Sequence, residues 1–408
     1  MKAFIMAAGE GTRMRPLTAN IPKPLLPVAG KPFLLHTLES LRDSGIKDIT
    51  ILIGWRGRRV REYLGDGSEL GLNITYEEQE RRLGTAHAIS LAKEHVGDTF
   101  LCLNGDVVLT SGSIKGFLSF WKKRKGTTVA LAKVGDTRNL GVVELEKDTI
   151  IGIEEKPKWP RSKLINAGMY VFNRDIFKLI EKTPMSKRGE YEITDTLLML
   201  MDEEKVYGHV LKEEWIDVGR PWDLLKANEI LLREISSDNR GEVQKNVIIE
   251  NNVQIGEGTK VKNGCYIVGP TIVGKNCEIG PNSLIRPSTY IGDGCRVGSA
   301  SEVKNSIVMN RSNVPHHNYV GDSVIGEGCN LGSGTKIANL RLDEKEIRIT
   351  FRGQEIDTGL RKLGAIIGDR VKTGINSSID VGTIIGENTF IGPGAVVRGV
   401  IAPNTRIF

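Results

Sequence analysis

The sequence predicts an α/β domain with a mostly parallel sheet, followed by a parallel β-helix. From Met1 to roughly Gly141, short apolar runs typical of buried strands alternate with helical stretches, which favours a mostly parallel sheet flanked by helices. After Val247 the pattern changes to branched aliphatic residues that recur every sixth position. A chain of 408 residues is also too long for one ordinary core, so we expect two domains.

The composition indicates a globular protein, with 39% hydrophobic and 26% charged residues and no apolar run long enough to cross a bilayer. Residues 1–8 read as a first core strand and lack the features of a signal peptide. We therefore expect a cytoplasmic protein that does not bind membranes. The net charge of +6 is spread along the chain, which suits phosphorylated ligands and gives no reason to expect nucleic-acid binding.

The loop that leaves the first strand combines glycines with cations. Gly9 and Gly11 allow the backbone to approach a ligand closely, and successive N–H groups in such a turn form a concavity for anions. Arg13, Arg15 and Lys23 supply positive charges against phosphate oxygens. The pattern predicts a triphosphate-binding loop, although glycines alone would fit any turn between a strand and a helix.

A carboxylate follows another buried strand. The apolar run Thr99–Leu103 leads directly into Asn104-Gly105-Asp106. Because ligands in open α/β sheets bind at the carboxyl ends of the strands, Asp106 is a candidate for the same site as the first loop.

The loop string G-x-G-T-R-x-R-P-L-T, with P-K-P downstream, resembles the signature of sugar-1-phosphate nucleotidylyltransferases. It matches neither the dinucleotide motif nor a Walker A loop, since no G-K-[ST] follows the glycines. The resemblance implies a Rossmann-like α/β nucleotidyltransferase domain that couples a nucleoside triphosphate to a sugar 1-phosphate with Mg²⁺ and releases pyrophosphate. It places this domain at residues 1–235, with a polar linker at 236–246 and the β-helix at 247–408.

The resemblance also implies roles for single residues, on the positions that match the family motifs. Arg13 and Lys23 would be catalytic, and Asp106 and Asp217 would hold the metal. The residues implied in nucleotide binding are Gly9, Gly11, Thr12, Gln79 and Gly84, and those implied in sugar binding are Gly141, Glu155 and Asn166.

The six-residue repeat predicts a prism whose faces each take one hexad, with the aliphatic side chain pointing inward. It resembles the left-handed β-helix of acyltransferases. Two interruptions, 304–323 and 339–362, predict loops that leave the solenoid and carry function. Four cysteines, Cys265, Cys277, Cys295 and Cys329, each lie four residues after a repeat aliphatic, and Cys102 lies in an apolar strand, so we expect small core residues and no metal or disulfide role.

The first interruption contains H-x-x-Y-x-G-D and is followed by N-x-G-x-G-T. This pattern resembles the acetyltransferase half of bifunctional N-acetylglucosamine-1-phosphate uridylyltransferases/glucosamine-1-phosphate N-acetyltransferases. The resemblance implies acetyl-CoA as cosubstrate and His316 as the base, with His317 as the competing candidate. The acetyltransferase residues implied in substrate binding are Arg286, Lys304, Tyr319, Asn330, Asn339 and Lys345. The segment 340–362 departs from the bacterial pattern and resembles archaeal-type relatives.

The two resemblances together imply a homotrimeric bifunctional enzyme. It would acetylate glucosamine 1-phosphate and couple the resulting N-acetylglucosamine 1-phosphate to a nucleotide from UTP or dTTP. One alternative is a single-function pyrophosphorylase, for glucose 1-phosphate or mannose 1-phosphate, with a purely structural β-helix. A second alternative is a catalytically silent regulatory subunit, against which the intact Arg13, Lys23, Asp106 and Asp217 count.

Overall fold

The computed structural model describes residues 1–137, 140–351 and 353–408. Its contacts divide the chain into two compact units. The first comprises Met1–Glu10, Pro22–Leu25 and Phe33–Asp217, and the second comprises Gly11–Ile21, Leu26–Pro32 and Val218–Phe408. The division into functional domains at residues 235 and 247 stays a prediction.

Within the described residues, seven α-helices and the first thirteen strands precede the solenoid. The strands are β1 (Lys2–Met6), β2 (Pro27–Val28), β3 (Lys31–Pro32), β4 (Asp48–Ile53), β5 (Asn73–Glu78), β6 (Thr99–Asn104), β7 (Val107–Val108), β8 (Thr128–Lys133), β9 (Gly141–Glu146), β10 (Thr149–Glu155), β11 (Leu164–Asn173), β12 (Tyr207–Val210) and β13 (Ile216–Asp217). The helices, as far as the structure describes the chain, are α1 (Phe33–Asp43), α2 (Gly57–Leu64), α3 (Thr85–Ser90), α4 (Ser111–Arg124), α5 (Ile176–Ile180), α6 (Ile193–Glu203) and α7 (Asp223–Leu232).

The core of the first unit is a nine-stranded sheet in the order β5-β4-β1-β6-β11-β8-β12-β10-β9. Strands β5, β4, β1 and β6 are parallel, whereas β11 runs antiparallel to both β6 and β8. Successive residues of β1 point to opposite faces, so Ile5 packs in one hydrophobic cluster and Phe4 in the other. Apolar layers on both faces explain why β1 and β6 are almost continuously hydrophobic, and the predicted α/β class is confirmed.

The flanking helices follow the hydrophobic pattern of the sequence. Helix α1 buries Leu34, Leu38 and Leu41 on one face, at the spacing of an amphipathic helix. Helix α4 begins after Thr110, whose hydroxyl accepts a hydrogen bond from the Ser113 N–H at 3.1 Å. That bond satisfies one of the backbone donors that a helix start leaves unpaired.

The second unit is built mainly from short parallel strands. They are β14 (Asp238–Asn239), β15 (Glu242–Val243), β16 (Ile248–Glu250), β17 (Val253–Ile255), β18 (Lys260–Val261), β19 (Tyr266–Val268), β20 (Thr271–Val273), β21 (Glu278–Ile279), β22 (Leu284–Ile285), β23 (Thr289–Ile291), β24 (Arg296–Val297), β25 (Glu302–Lys304), β26 (Ile307–Val308), β27 (Asn313–Val314), β28 (Tyr319–Gly321), β29 (Val324–Ile325) and β30 (Lys336–Ile337). After the hairpin β31 (Arg348–Phe351) and β32 (Gln354–Asp357) follow β33 (Ala365–Ile367), β34 (Lys372–Thr373), β35 (Ser378–Ile379), β36 (Thr383–Ile385), β37 (Phe390–Ile391), β38 (Val396–Val397), β39 (Val400–Ile401) and β40 (Arg406–Ile407).

These strands stack into three faces of a prism. One face runs from β14 through β17 to β39, a second from β15 to β27 and on through β34 to β40, and a third from β16 through β19 to β38. Isolated bridges from Asn330 to Asn313 and to Lys372 connect the two parts of the second face. The repeat aliphatics form one buried cluster in which Ile267, Ile285 and Val303 stack directly on one another. The predicted parallel β-helix is confirmed.

The two predicted interruptions have different structures. Residues 304–323 do not leave the solenoid, because β26, β27 and β28 continue the three faces without a break. The predicted loop there is wrong. The aliphatic spacing shortens to five residues at two corners, from Val303 to Val308 and from Val320 to Ile325, which disturbs the sequence period but preserves the coils. Residues 339–362 do leave the solenoid, and they carry the β31–β32 hairpin.

Four cysteines line the interior of the solenoid, as the repeat predicts, and Cys102 lies in strand β6. All five are buried, and Cys277 Sγ donates to the Gly292 carbonyl at 3.0 Å. Burial raises the pKa of the Cys295 and Cys329 thiols to about 12. These side chains therefore act as small apolar residues that fill the corners.

The second unit also includes the segment Gly11–Ile21, which is held by side-chain bonds. Asn20 Nδ2 donates to Asp369 Oδ2 at 3.0 Å, and the other oxygen of the buried Asp369 accepts the Glu327 N–H. Asn228 accepts the Ala29 N–H at 2.9 Å and donates to the Ser288 carbonyl at 2.8 Å.

No helix in the described part of the chain combines the length and apolar character needed to span a bilayer.

Candidate functional site

The Gly-rich loop folds so that its apolar residues anchor it and its cations face outward. Gly11 has φ 65°, a backbone conformation that favours glycine, and its carbonyl accepts from the Met14 N–H and the Thr18 hydroxyl. Residues Thr12–Met14 form a short 3₁₀-helix in which Met14 is buried, whereas Arg13 is exposed. The alternation of buried and charged positions presents the guanidinium to a ligand.

Arg220 is a second cation in this region, and the sequence analysis did not select it. Burial, followed by the positive charge of Arg13, lowers the pKa of Arg220. Two guanidinium groups near each other are stabilised by an anion, and phosphate is the anion that arginine binds best. Arg220 directly follows Trp215-Ile216-Asp217-Val218-Gly219, so its nearness in sequence to the predicted metal ligand Asp217 is the signal that could have identified it.

The two predicted metal carboxylates lie at neighbouring positions. Gly105 donates its N–H to the Met6 carbonyl at 2.9 Å, which fixes the turn after β6 beside β1. Strand β7 pairs antiparallel with β13, and Asp217 lies opposite Val107, the residue after Asp106. The structure therefore brings Asp106 and Asp217 together from positions more than 100 residues apart in sequence.

Lys23 belongs to the same cluster. Its ammonium lies 2.8 Å from Asp106 Oδ2, and its side chain is 11% exposed. A buried lysine needs such a partner, because an unpaired charge at this depth would be costly. The pair holds the Lys23 ammonium beside the carboxylates.

The carboxylate pair fits Mg²⁺, which prefers oxygen ligands and is commonly held by one or two carboxylates, substrate phosphates and water. No group of three or more His, Cys, Asp or Glu suited to a metal occurs among the residues that the structure describes. A site with two protein carboxylates therefore depends on phosphate oxygens to complete the coordination.

The segment implied in base binding, which contains Gly84, packs closely against the backbone of Tyr191. Gly84 has φ 107°, and a Cβ there would lie 2.5 Å from the Tyr191 carbonyl oxygen, so only glycine fits. The Tyr191 N–H donates to the Leu83 carbonyl at 2.7 Å, which pairs the two segments. Gln79 Nε2 lies 3.1 Å from His87 Nδ1, and this contact orients its amide.

The three predicted sugar-binding residues meet in one place. A Cβ on Gly141 would lie 3.1 Å from Glu155 Oε2 and 3.6 Å from Asn166 Cβ, so a side chain there would crowd Glu155 and contact Asn166. Asn166 Nδ2 donates to the buried Tyr170 hydroxyl at 2.7 Å, which leaves the amide in a fixed orientation. Thr194 contacts the same point, and its buried hydroxyl has no hydrogen-bond partner among the described residues. The sequence analysis did not select Thr194.

Glu155 carries an unusual charge environment. Burial raises its pKa, and Glu190 and Asp195 add to that rise, whereas Lys156 and Arg188 oppose it. Arg188 also pairs with the buried Glu192 at 2.9 Å and with Glu190 at 3.3 Å, so its charge is shared among three carboxylates. The ionised form of Glu155 is therefore disfavoured in the folded protein, and a hydrogen-bond donor such as a sugar hydroxyl would stabilise it.

The register of the third solenoid face brings four predicted acetyltransferase residues together. Lys304 lies opposite Gly321, and Arg286, whose N–H donates to the Val303 carbonyl, lies one coil before Lys304. Tyr319 Oη accepts from Asn339 Nδ2 at 3.2 Å. Two cations, a phenol and an amide thus share one surface, on which Arg286 is exposed and the other three residues are half-buried.

The other predicted acetyltransferase residues lie elsewhere on the solenoid. His316 and His317 are exposed at the corner between β27 and β28, where the Gly334 N–H donates to the His316 carbonyl. Asn330 lies on the second face. Lys345 lines a cavity of about 820 Å³ at the hairpin excursion, together with Arg341, Asp343, Glu344, Glu346, Arg348, Glu355 and Arg361. The structure does not join these residues to the Tyr319–Asn339 pair.

Family models match both halves of the chain. Residues 2–234 match the model described as Nucleotidyl transferase. Residues 267–373 match a GMPPB C-terminal domain, and residues 364–398 match a hexapeptide repeat of succinyl-transferase.

Relatives extend over the whole chain. It is 42% identical to the Bifunctional protein GlmU of Methanocaldococcus jannaschii, over 100% of this chain and 97% of that protein. It is 40% identical to the Bifunctional sugar-1-phosphate nucleotidylyltransferase/acetyltransferase of Sulfurisphaera tokodaii, over 98% and 97%. A solved structure of a putative glucose-1-phosphate thymidylyltransferase from Bacillus anthracis is 33% identical, with a TM-score of 0.54 over 58% of this chain and 97% of that one.

We predict that Glu155→Gln stabilises the protein at neutral pH. The folded pKa of Glu155 lies above its unfolded value, so ionisation favours the unfolded chain, and the stability is lost as pH rises through the folded pKa. Glutamine does not ionise, so the variant should melt at a higher temperature than the wild type at pH 7–8. The difference should shrink toward pH 4, near the unfolded pKa of about 4.3.

The measurement is thermal unfolding followed by circular dichroism at pH 4, 6 and 8. Glu257→Gln, at an exposed solenoid corner, serves as the charge-matched control. A Glu155→Gln variant that is less stable than the wild type by the same amount at every pH would contradict the prediction.

Proposed function

This chain belongs to the family of bifunctional sugar-1-phosphate nucleotidylyltransferases and acetyltransferases, and we propose that it makes UDP-N-acetylglucosamine from glucosamine 1-phosphate in two steps. The solenoid transfers the acetyl group of acetyl-CoA to the sugar amine. The α/β domain then couples the product to a nucleotide from UTP, with dTTP as the other candidate. The observation that carries the proposal is that one chain brings Asp217 opposite the residue after Asp106, beside Lys23, and groups Lys304, Tyr319 and Asn339 on one face of the solenoid. The substrates place these reactions in the cytoplasm.

In the nucleotidyl step, a phosphate oxygen of the sugar 1-phosphate attacks the α-phosphorus. A new P–O bond forms, the bond to the β-phosphate bridge breaks, and pyrophosphate leaves. Charge accumulates on the phosphoryl oxygens, so positioned cations lower the barrier. Arg13 holds the triphosphate, and Lys23, held in place by Asp106, meets the attacking or the α-phosphate.

The other α/β residues bind and orient the substrates. Gly9, Gly11 and Thr12 offer backbone donors to the triphosphate, and Gln79 and Gly84 contact the base. Gly141, Glu155 and Asn166 hold sugar hydroxyls. Asp106 and Asp217 would hold Mg²⁺, which when bound neutralises phosphate charge.

We predict that Asp217→Asn removes most nucleotidyl transfer. The variant keeps the size of the side chain but loses one of two anionic metal ligands, so turnover should fall by about 10²-fold or more. Pyrophosphate release is measured with UTP and N-acetylglucosamine 1-phosphate over a range of Mg²⁺ concentrations. Asp202→Asn, an exposed helix position, is the control. Unchanged turnover with an unchanged Mg²⁺ dependence would show that Asp217 is not a metal ligand.

In the acetyl step, the sugar amine attacks the thioester carbonyl carbon, the C–N bond forms, and the C–S bond breaks to release the CoA thiol. A base must accept the proton that the amine loses, and histidine titrates in the required range. We assign this role to His316, with Arg286 and Lys304 on the substrate phosphate and Tyr319 and Asn339 beside them. Asn330 and Lys345 are proposed as further substrate-binding residues, which lie on other parts of the solenoid.

His316→Ala should therefore abolish thiol release from acetyl-CoA with glucosamine 1-phosphate. Removal of a general base lowers the rate by about 10²–10⁴-fold, which a thiol assay resolves. Nucleotidyl transfer should persist, because the substitution lies in the solenoid. His317→Ala is the matched control at the same corner. If His317→Ala carries the loss instead, the base is misassigned, and a wild type without acetyl transfer would leave a single-function nucleotidylyltransferase.

We further propose a homotrimer assembled through the solenoid. Its third face exposes large apolar side chains at both ends, with Ile248 on β16 and Tyr266 on β19 in the first two coils and Val396 on β38 in the last coil of this face. Exposed apolar residues of this size are typical of an interface between subunits, and closed symmetric assemblies are the common outcome.

Light scattering should give three times the mass of one chain. Combined Ile248→Asp and Val396→Asp substitutions should shift the protein toward monomers, because they place charges in an apolar contact. Ile151→Asp, an equally exposed isoleucine of the first unit, is the control and should leave the mass unchanged. A monomeric wild type at micromolar concentration would refute the assembly.

A further inference from the structure

Asp322, at the end of the H-x-x-Y-x-G-D string, has no role in the reaction described above. We propose that Asp322 is a positioning residue for acetyl transfer, because its buried carboxylate fixes both the Lys304 ammonium and the Asn339 amide. The inference rests on the proposed function of the solenoid and adds to it the residue that organises the acceptor site.

The backbone of Asp322 is held on both sides. It follows β28 with φ 50°, a conformation that residues other than glycine seldom adopt. Its N–H donates to the Lys304 carbonyl at 2.9 Å, and its own carbonyl accepts the Gly364 N–H at 2.8 Å. Bonds to the coils before and after it fix the direction in which the side chain leaves the corner.

The carboxylate is surrounded by donors. Its side chain is 5% exposed, and Lys304 Nζ lies 3.2 Å from Oδ2. Asn305 Nδ2 donates to Oδ1 at 2.7 Å, and Asn339 Nδ2 donates to Oδ2. A charge at this depth is stable only when it is paired and hydrogen-bonded, so each donor is tied to the carboxylate.

The hydrogen bond to Asp322 sets the orientation of the Asn339 amide. A carboxylate only accepts hydrogen bonds, so the NH₂ group of Asn339 must face Asp322, and the same group donates to Tyr319 Oη. The carbonyl oxygen Oδ1 then points away, and no donor reaches it among the described residues. An N–H of an amino sugar is a donor of the class that this half-exposed oxygen would accept.

The same carboxylate fixes the cation next to it. The Lys304 side chain is 18% exposed, and its ammonium lies on the same face as Arg286. Gly321 leaves room between these groups and the Tyr319–Asn339 pair, since a Cβ there would lie 2.7 Å from Tyr319 Oη. Asp322 thus fixes the distance between the Lys304 ammonium, which would bind the substrate phosphate, and Asn339 Oδ1, which would accept a hydrogen bond from the substrate amine. Asp322 itself does not touch the substrate.

The test compares Asp322→Asn with the wild type in acetyl transfer to glucosamine 1-phosphate. Asparagine keeps the size of the side chain but is uncharged, and an NH₂ group replaces one of its two acceptor oxygens. Lys304 therefore loses its ionic partner, and the Asn339 amide can rotate. We expect kcat/KM to fall by about 10–100-fold, the range for a hydrogen bond to a charged group. Nucleotidyl transfer should not change. Asp293→Asn is the control and should alter neither activity, since the Asp293 carboxylate lies at another corner, where it accepts the Lys275 N–H at 2.7 Å.

A double-mutant cycle separates positioning from a general structural role. If Asp322 acts through Lys304 and Asn339, adding Asp322→Asn to a Lys304→Met/Asn339→Ala background should lower kcat/KM by less than about 3-fold. An equal factor in both backgrounds, or an Asp322→Asn variant with wild-type kcat/KM, would overturn the proposal.

If Asp322→Asn does not fold, Asn305→Ala takes its place, since it frees one side of the carboxylate and leaves the charge present. It should lower kcat/KM for acetyl transfer by about 3–10-fold, the range for one hydrogen bond, and an unchanged value would overturn the proposal. A wild type that shows no acetyl transfer would refute the proposed function, and the role of Asp322 with it.

Discussion

Parallel pairing in a fixed register is the constraint on which the rest of the structure depends. In the first unit, β1 pairs with β6 in parallel, so the Gly-rich loop and the turn with Asp106 both leave from the carboxyl ends of adjacent strands. In the second unit, the same kind of pairing stacks every coil on the next, so residues 17 or 18 positions apart become neighbours, as Glu302 and Tyr319 do. Both candidate sites follow from this geometry.

Charge pairing inside the sites is the second common feature. Lys23 contacts Asp106, Lys304 contacts Asp322, and Arg286 contacts Glu302 at 2.9 Å, so each cation already has a carboxylate partner. The partners keep the cations in place and hold their side chains in few conformations. A phosphate that binds therefore meets charges whose positions are set in advance, which is how preorganised sites avoid the cost of ordering at the moment of reaction.

The solenoid tolerates changes at its corners because its interior is defined by stacked aliphatics. Two corners lose one residue each between Val303 and Ile325, and the ladder continues. A 24-residue excursion at 339–362 leaves the prism and returns, and β29 still pairs directly with β33. Insertions at a corner add surface without disturbing the core, since only the residues that bridge successive coils must keep their register.

The sequence by itself determined both folds and selected several residues that the structure brings together, whereas the roles of these residues stay predictions. The six-residue period and the strand–helix alternation reflect which side chains must be buried, and that pattern is local. Motifs placed Gly141, Glu155 and Asn166 in one group, and they meet. Tertiary structure alone decided that 304–323 stays in the solenoid, that Arg220 and Thr194 join the sites, and that Asp322 links Lys304 to Asn339. These facts depend on how strands far apart in sequence align, and no local pattern encodes that alignment.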